Sequence, residues 1–242
     1  MGNVDTGRPL HHGALVAKYR GNLGGDSFNH NYNWWDPSAV CATGTPCDNN
    51  GHGTHTMGTM VGDDGDPGTN QIGVAPHATW IAAKGCETNS CSTRRCCCPR
   101  ANSWWRRPTS TARTSQPNMR PDIVNNSWGN SNGGDTFYQA TVQAWVASGI
   151  FPSFSSGNSR AGLRNRWLAG ELRRELHGRI VRHQQRDRWE LEPRPVSDSA
   201  GSSSRDIAAP GVNVRLVLEQ RGLSDDQRHL DGRALTCPRP WP

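Results

Sequence analysis

Apolar residues in this chain fall into short, turn-bounded clusters, and three of them have the length of strands. Ala78-Thr-Trp-Ile-Ala-Ala-Lys84 is flanked by Pro76 and Gly85, the pattern of a buried strand. Asp122-Ile-Val-Asn-Asn-Ser127 is a second, ending in polar residues before Trp128-Gly129. Tyr138, Val142, Trp145 and Val146 then recur at i, i+4, i+7 and i+8. That spacing predicts an amphipathic helix with Asp135 as N-cap and Gly149 as its stop. Ile150 to Phe154 predicts the next strand, and Pro152 within it assigns an edge position or a bulge. Strand, helix and strand in succession make a βαβ unit, so the expected class is α/β, a mainly parallel sheet covered by helices.

Elsewhere the periodicity fails. Ser92–Met119 is long enough for the crossover between the first two strands, yet it shows no 3.6-residue apolar period and contains three prolines. Leu168, Leu172, Leu176 and Ile180 do recur every four residues, with Glu175 and Arg179 as an i,i+4 pair. This reads as a basic amphipathic helix of the sort that lies on a membrane surface or on nucleic acid. Gly170 and Gly178 each weaken it by about 1 kcal/mol, and interleaved acids dilute its charge. No nucleic-acid partner is expected.

Charge separates the same two styles. The net +6 resolves into −4 over residues 1–91, +7 over 92–120, −2 over 121–159 and +5 over 160–242. Lys18 and Lys84 are the only lysines, so 25 of 27 basic residues are arginine. A hydrophobic fraction of 33% and a mean hydropathy of −0.77 are low for an enzyme of this length. No run approaches the roughly 18 apolar residues of a membrane-spanning helix. The first residues lack the charged and apolar regions of a secretory signal. Cys41 and Cys47, and Cys86 and Cys91, are spaced to close small loops in an oxidising compartment, with free thiols as the competing reading.

Candidate chemistry sits in the blocks that keep the α/β pattern. Asp5-Thr6-Gly7 follows Val4; Gly51-His52-Gly53-Thr54-His55-Thr56-Met57-Gly58 places a histidine between small residues at a predicted helix start. His52 alone also fits a solvated turn, or half of a metal site with His55. Asn125-Asn126-Ser127-Trp128-Gly129 and Ser156-Gly157-Asn158-Ser159 end two strands. An aspartic protease would need a second Asp-Thr/Ser-Gly, and none occurs.

These strings, in this order, together with Ile72-Gly73-Val74-Ala75-Pro76 and Ile207-Ala208-Ala209-Pro210-Gly211-Val212, resemble the subtilisin-like serine peptidases, the subtilases. The resemblance implies a three-layer α/β/α sandwich and endopeptidase chemistry through an acyl-enzyme. It implies Asp5 as the carboxylate that orients the histidine, His52 as general base and Asn158 as oxyanion donor. Ser127, Trp128 and Gly129 match the extended segment that pairs with the substrate backbone and lines the main specificity pocket, which Trp128 would narrow or give an aromatic wall. It further implies a protein or peptide substrate, a monomer, a secreted location and no required cofactor. Structural calcium is compatible with the family, and the acidic loop Asp63-Asp64-Gly65-Asp66 reads better as a solvated turn.

The nucleophile is the departure. The family carries Gly-Thr-Ser-Met-Ala about twenty residues after the Ala-Pro-Gly string, and no Gly-Thr-Ser occurs in these 242 residues. Ser224, Thr236 and Cys237 stand in contexts that do not open a helix. In subtilisin, loss of the nucleophile alone lowers kcat by roughly 10⁶-fold, so an inactive chain is expected. Family-like blocks at 1–7, 14–91, 120–159 and 206–214 alternate with Arg-rich segments at 92–119, 160–205 and 215–242. The expectation is one catalytic domain over 1–242, truncated at both ends, whose Arg-rich segments are out-of-frame translations of GC-rich DNA. Translating the other two frames of the coding DNA tests this directly: a Gly-Thr-Ser-Met-like string must appear opposite residues 216–242.

Overall fold

The computed structural model describes residues 1–41, 44–66, 71–87, 116–129 and 138–155, and three short strands, Leu216–Val217, Leu223–Ser224 and Leu235–Thr236. Its centre is a five-stranded parallel sheet. β1 (Gly2–Asp5) lies in the middle, between β5 (Ile81–Lys84) and β6 (Ile123–Asn126). β4 (Trp34–Trp35) and β8 (Phe151–Phe154) form the edges. Pro152 therefore sits where a missing N–H costs least, on an edge strand, opposite Val124. β1 has the same four-residue length as β5, β6 and β8, so the few residues before Asp5 suffice for a central strand.

Alternation along the strands sorts side chains between two cores. Val4, Ile81, Ala83 and Val124 face α2 (Gln139–Ala147), whose Val142 and Trp145 are buried with Tyr138 just before it. Tyr138, Val142 and Trp145 are the positions that the helical period singled out, and Gly149 follows at φ 79°. Ala82 and Trp34 face the other way, against Met57 and Val61 of α1 (His52–Val61) and against Leu10, Leu15 and Tyr19. Helix, sheet and helix make three layers. The expected N-cap Asp135, the crossover at 92–115 and the periodic leucines at 168–180 lie outside the described residues.

Two further pairs, β2 (Asn22–Gly24) with β3 (Ser27–Phe28) and β9 (Leu216–Val217) with β10 (Leu223–Ser224), are antiparallel. β7 (Trp128–Gly129) pairs in parallel with β11 (Leu235–Thr236). The Arg-rich tail is thus not excluded from the core: Val217 is fully buried against Gly58 of α1, where a Cβ would strike its side chain. Cys41 and Cys47 form a disulfide, as their spacing expected. Cys86 is also disulfide-bonded, and Cys91 lies outside the described residues.

Candidate active site

Asp5 ends the central strand at its carboxyl edge, where the chain must turn away. Gly7 makes that turn at φ 117°, and a Cβ there would collide with the Cys47 carbonyl, so only glycine fits. The turn leaves the Asp5 carboxylate buried, its Oδ1 accepting the Thr6 N–H at 2.8 Å. Across the edge, Gly51 adopts the left-handed conformation (φ 90°) directly before α1, and His52 becomes the first residue of the helix. Gly53 is equally constrained, since a Cβ would run into the Gly7 carbonyl and Arg8 Nη1. These glycines are what allow the turn after β1 and the start of α1 to approach closely.

The approach brings the two side chains together. His52 Nδ1 lies 2.8 Å from Asp5 Oδ1. A carboxylate can only accept, so Nδ1 carries the proton and donates it, which places the imidazole lone pair on Nε2. Asp5 is 1% exposed and His52 16%, so the pair is shielded on the acid side and reachable on the imidazole side. Asp5 Oδ2 accepts from a third donor, the Thr56 hydroxyl at 3.2 Å.

Several residues that the motifs did not single out build this edge. Asp48, buried, accepts the Thr6 and Thr54 hydroxyls at 2.8 and 2.6 Å and the N–H groups of Asn50, Gly51 and Thr54. The Asp-Asn-Asn-Gly-His composition of residues 48–52 was the available signal, because an Asp in such a turn accepts the N–H groups that follow it. Lys84 ends β5 fully buried, and its Nζ donates to the Thr6 carbonyl and to Asn49 Oδ1, each at 2.6 Å. One of only two lysines in an arginine-rich chain, it was marked by composition alone.

His55 sits one turn along α1 from His52. Burial, and next the neighbouring His52, push its pKa below the ordinary 6.5, with Asp5 opposing and Arg8 adding to the effect. The unfolded chain thus binds a proton near pH 6.5 that the native site refuses, so stability falls as pH drops from 7 through 6.5 toward the lowered native value. The slope from one such group is at most about 1.4 kcal/mol per pH unit. Urea midpoints measured between pH 7.5 and 5 should decline less steeply in His55→Gln than in the parent, and parallel curves would refute this assignment.

The other predicted positions are distributed as follows. Ser127 lies at the carboxyl end of β6, its Oγ accepting from Asn125 Nδ2 at 2.8 Å. Trp128 follows directly as the first residue of β7. The indole is buried among Tyr138 (ring centroids 4.9 Å apart) and Phe154, because β7 continues the inward face that α2 covers. What Trp128 and Gly129 offer is backbone, and β11 runs alongside it. Asn158 lies outside the described residues. In the acidic loop, Asp63 pairs with Lys18 at 3.0 Å and accepts the Gly65 N–H, while Asp64 accepts the Asp66 N–H, as a turn does. No helix among the described residues is long and apolar enough to cross a membrane.

A parallel sheet between helical layers, with a buried carboxylate holding an imidazole at its carboxyl edge, defines the class: an α/β protein with an Asp–His pair at its strand ends. Sequence comparison gives the family: a model described as the Subtilase family matches residues 2–181. The chain belongs to the subtilase family of serine peptidases. It is 44% identical over 161 residues to Bacillopeptidase F of Bacillus subtilis (strain 168), a match covering 66% of this chain and 11% of that protein. The chain thus spans about a ninth of that relative's length. Among solved structures it is similar to the S41 psychrophilic protease, at 19% identity and a TM-score of 0.40, covering 66% of this chain and 46% of that one. It is also similar to a protease from Pseudoalteromonas arctica, at 20% identity and a TM-score of 0.41, covering 65% of this chain and 49% of that one.

Proposed function

We propose that this chain carries the acid–base and substrate-strand elements of a subtilase endopeptidase but does not itself complete the reaction. In this reading Asp5 fixes the imidazole tautomer and stabilises the imidazolium, and His52 Nε2 takes the proton of an attacking hydroxyl. Asn158 donates to the developing oxyanion. The observation that carries the reading is the 2.8 Å contact between His52 Nδ1 and a carboxylate that is 1% exposed. No Gly-Thr-Ser exists to supply the hydroxyl. The remaining capacity is binding an extended peptide along Ser127–Gly129, in a secreted, monomeric protein needing no cofactor.

A fluorophosphonate probe tests the missing nucleophile, because it reacts only with a serine activated by a base. No labelling above a His52→Ala control is expected; a labelled serine, located by mass spectrometry, would show that another residue has taken the role. The peptide-binding half has its own test. β11 lies along the backbone edge that a peptide would occupy, so the two compete. A chain ending at residue 224 should bind a fluorescent casein-derived peptide more tightly than the full chain by anisotropy, and equal or weaker binding contradicts the assignment of that edge.

A further inference from the structure

A polar chain runs from the substrate-strand segment to the buried carboxylate, crossing three elements. Asn125, on β6, uses one Nδ2 proton for Ser127 Oγ at 2.8 Å and the other for Asn3 Oδ1 at 3.2 Å. Asn3, on β1 and fully buried, passes its own Nδ2 to Thr56 Oγ1 on α1 at 3.0 Å. Thr56 Oγ1 in turn reaches Asp5 Oδ2 at 3.2 Å. The hydroxyl has one proton and two acceptors in reach, the carboxylate and the Gly53 carbonyl at 3.1 Å. Two facts direct the proton to the carboxylate. The Gly53 carbonyl already has the amide of Met57 as its partner in the regular i−4 pattern of α1, and a charged acceptor makes the stronger bond. Asn3 also donates to a lone pair of the hydroxyl, so the hydroxyl's own proton stays available for the carboxylate.

We propose that Thr56, held by Asn3, is a positioning residue for Asp5, fixing the carboxylate oxygen that His52 does not use. His52 and the Thr6 N–H both engage Oδ1. Without Thr56, rotation of the carboxylate about its Cβ–Cγ bond would exchange the two oxygens and loosen the imidazole. Asn125 anchors Asn3, so the end of β6 that begins the substrate-strand segment and the acid–imidazole pair share one hydrogen-bonded frame. The inference extends the role proposed for Asp5 and His52, and its test needs no nucleophile.

The test is NMR on the full chain with ¹⁵N-labelled histidine, the His52 signals being assigned by their loss in His52→Gln. The readouts are the low-field Nδ1 proton and the titration midpoint of the ring. In Thr56→Val, Oδ2 loses its donor and more negative charge remains on the carboxylate. The midpoint should therefore rise and the Nδ1 proton should shift or broaden. Thr56→Ser should restore both. Thr56→Ala, a good helix former, repeats the test should the valine variant not fold. A variant with a lowered unfolding midpoint but unmoved His52 signals would overturn the proposal, since the hydroxyl would then serve only the helix. Absence of an Asp5-dependent Nδ1 proton in the parent would instead sink the acid–imidazole pairing itself, which keeps the two failures distinct.

Discussion

Replacing Asp48 with alanine is expected to cost about 3–5 kcal/mol of stability, the loss that follows when one member of a buried charged cluster is removed. Its carboxylate is 6% exposed and collects five hydrogen bonds, from two threonine hydroxyls and three backbone amides. Those donors come from both sides of the active edge: Thr6 follows Asp5, and Gly51 precedes His52. Thr6 Oγ1 also accepts the Gly53 N–H at 2.9 Å, so the cluster joins the turn after β1 to the first turn of α1. Burial alone would raise the Asp48 pKa; Arg8 and the hydrogen bonds from Thr54, Gly51 and Thr6 prevail and hold it below the ordinary 3.8. A carboxyl whose native pKa is lowered stabilises the fold above the unfolded value and loses that contribution as pH falls through the native one. The parent should accordingly lose stability below about pH 4, and Asp48→Ala should lack that component of acid sensitivity. Urea unfolding at about pH 7 and about pH 3.5 measures both effects. A loss under about 1 kcal/mol at neutral pH would mean that the five donors find water instead.

Why the edge was only half readable follows from what each residue does. Asp5, His52 and the strand–helix–strand run at 123–154 announce themselves by local pattern: a short apolar run, a helical period, a histidine between glycines. Their contacts then follow from topology, because a parallel sheet brings its strand ends to one edge. Asp48, Lys84, Asn3 and Thr56 act, beside bonds within their own turns, through partners 35 to 122 residues away in sequence. No periodicity records such pairings. The packing of Trp128 was hidden for a related reason. A tryptophan beside a substrate strand reads as part of a pocket, and nothing local announces that its ring packs on Tyr138 and Phe154 in the core. Val217 was missed because the composition of residues 215–242 resembles nothing in the family, whereas a single apolar side chain is enough to fill the space beside Gly58.

Arg8 is the residue whose removal is expected to help. Its guanidinium is fully buried, with Nη1 on the Gly7 carbonyl, while Nε and Nη2 have no hydrogen-bond partner among the described residues. Burial pulls its pKa down to about 10 despite the opposing pull of Asp5 and Asp48, so the surroundings disfavour the charge on balance. Arg8→Met keeps the backbone N–H that donates to the Cys47 carbonyl at 2.9 Å and fills a similar volume without a charge. It should stabilise the chain, because a buried charge with unsatisfied donors gives way to an apolar side chain. Asp48 is not stranded by the change, because its five neutral donors remain. The two substitutions must therefore be non-additive. In the Arg8→Met background, Asp48→Ala no longer leaves a bare guanidinium behind, and its cost should shrink measurably, a coupling that a double-mutant cycle reads directly. Should Arg8→Met instead destabilise, with the Asp48 cost unchanged, the guanidinium would be a needed counter-ion for Asp5, and the acid–imidazole pair would depend on a third charge.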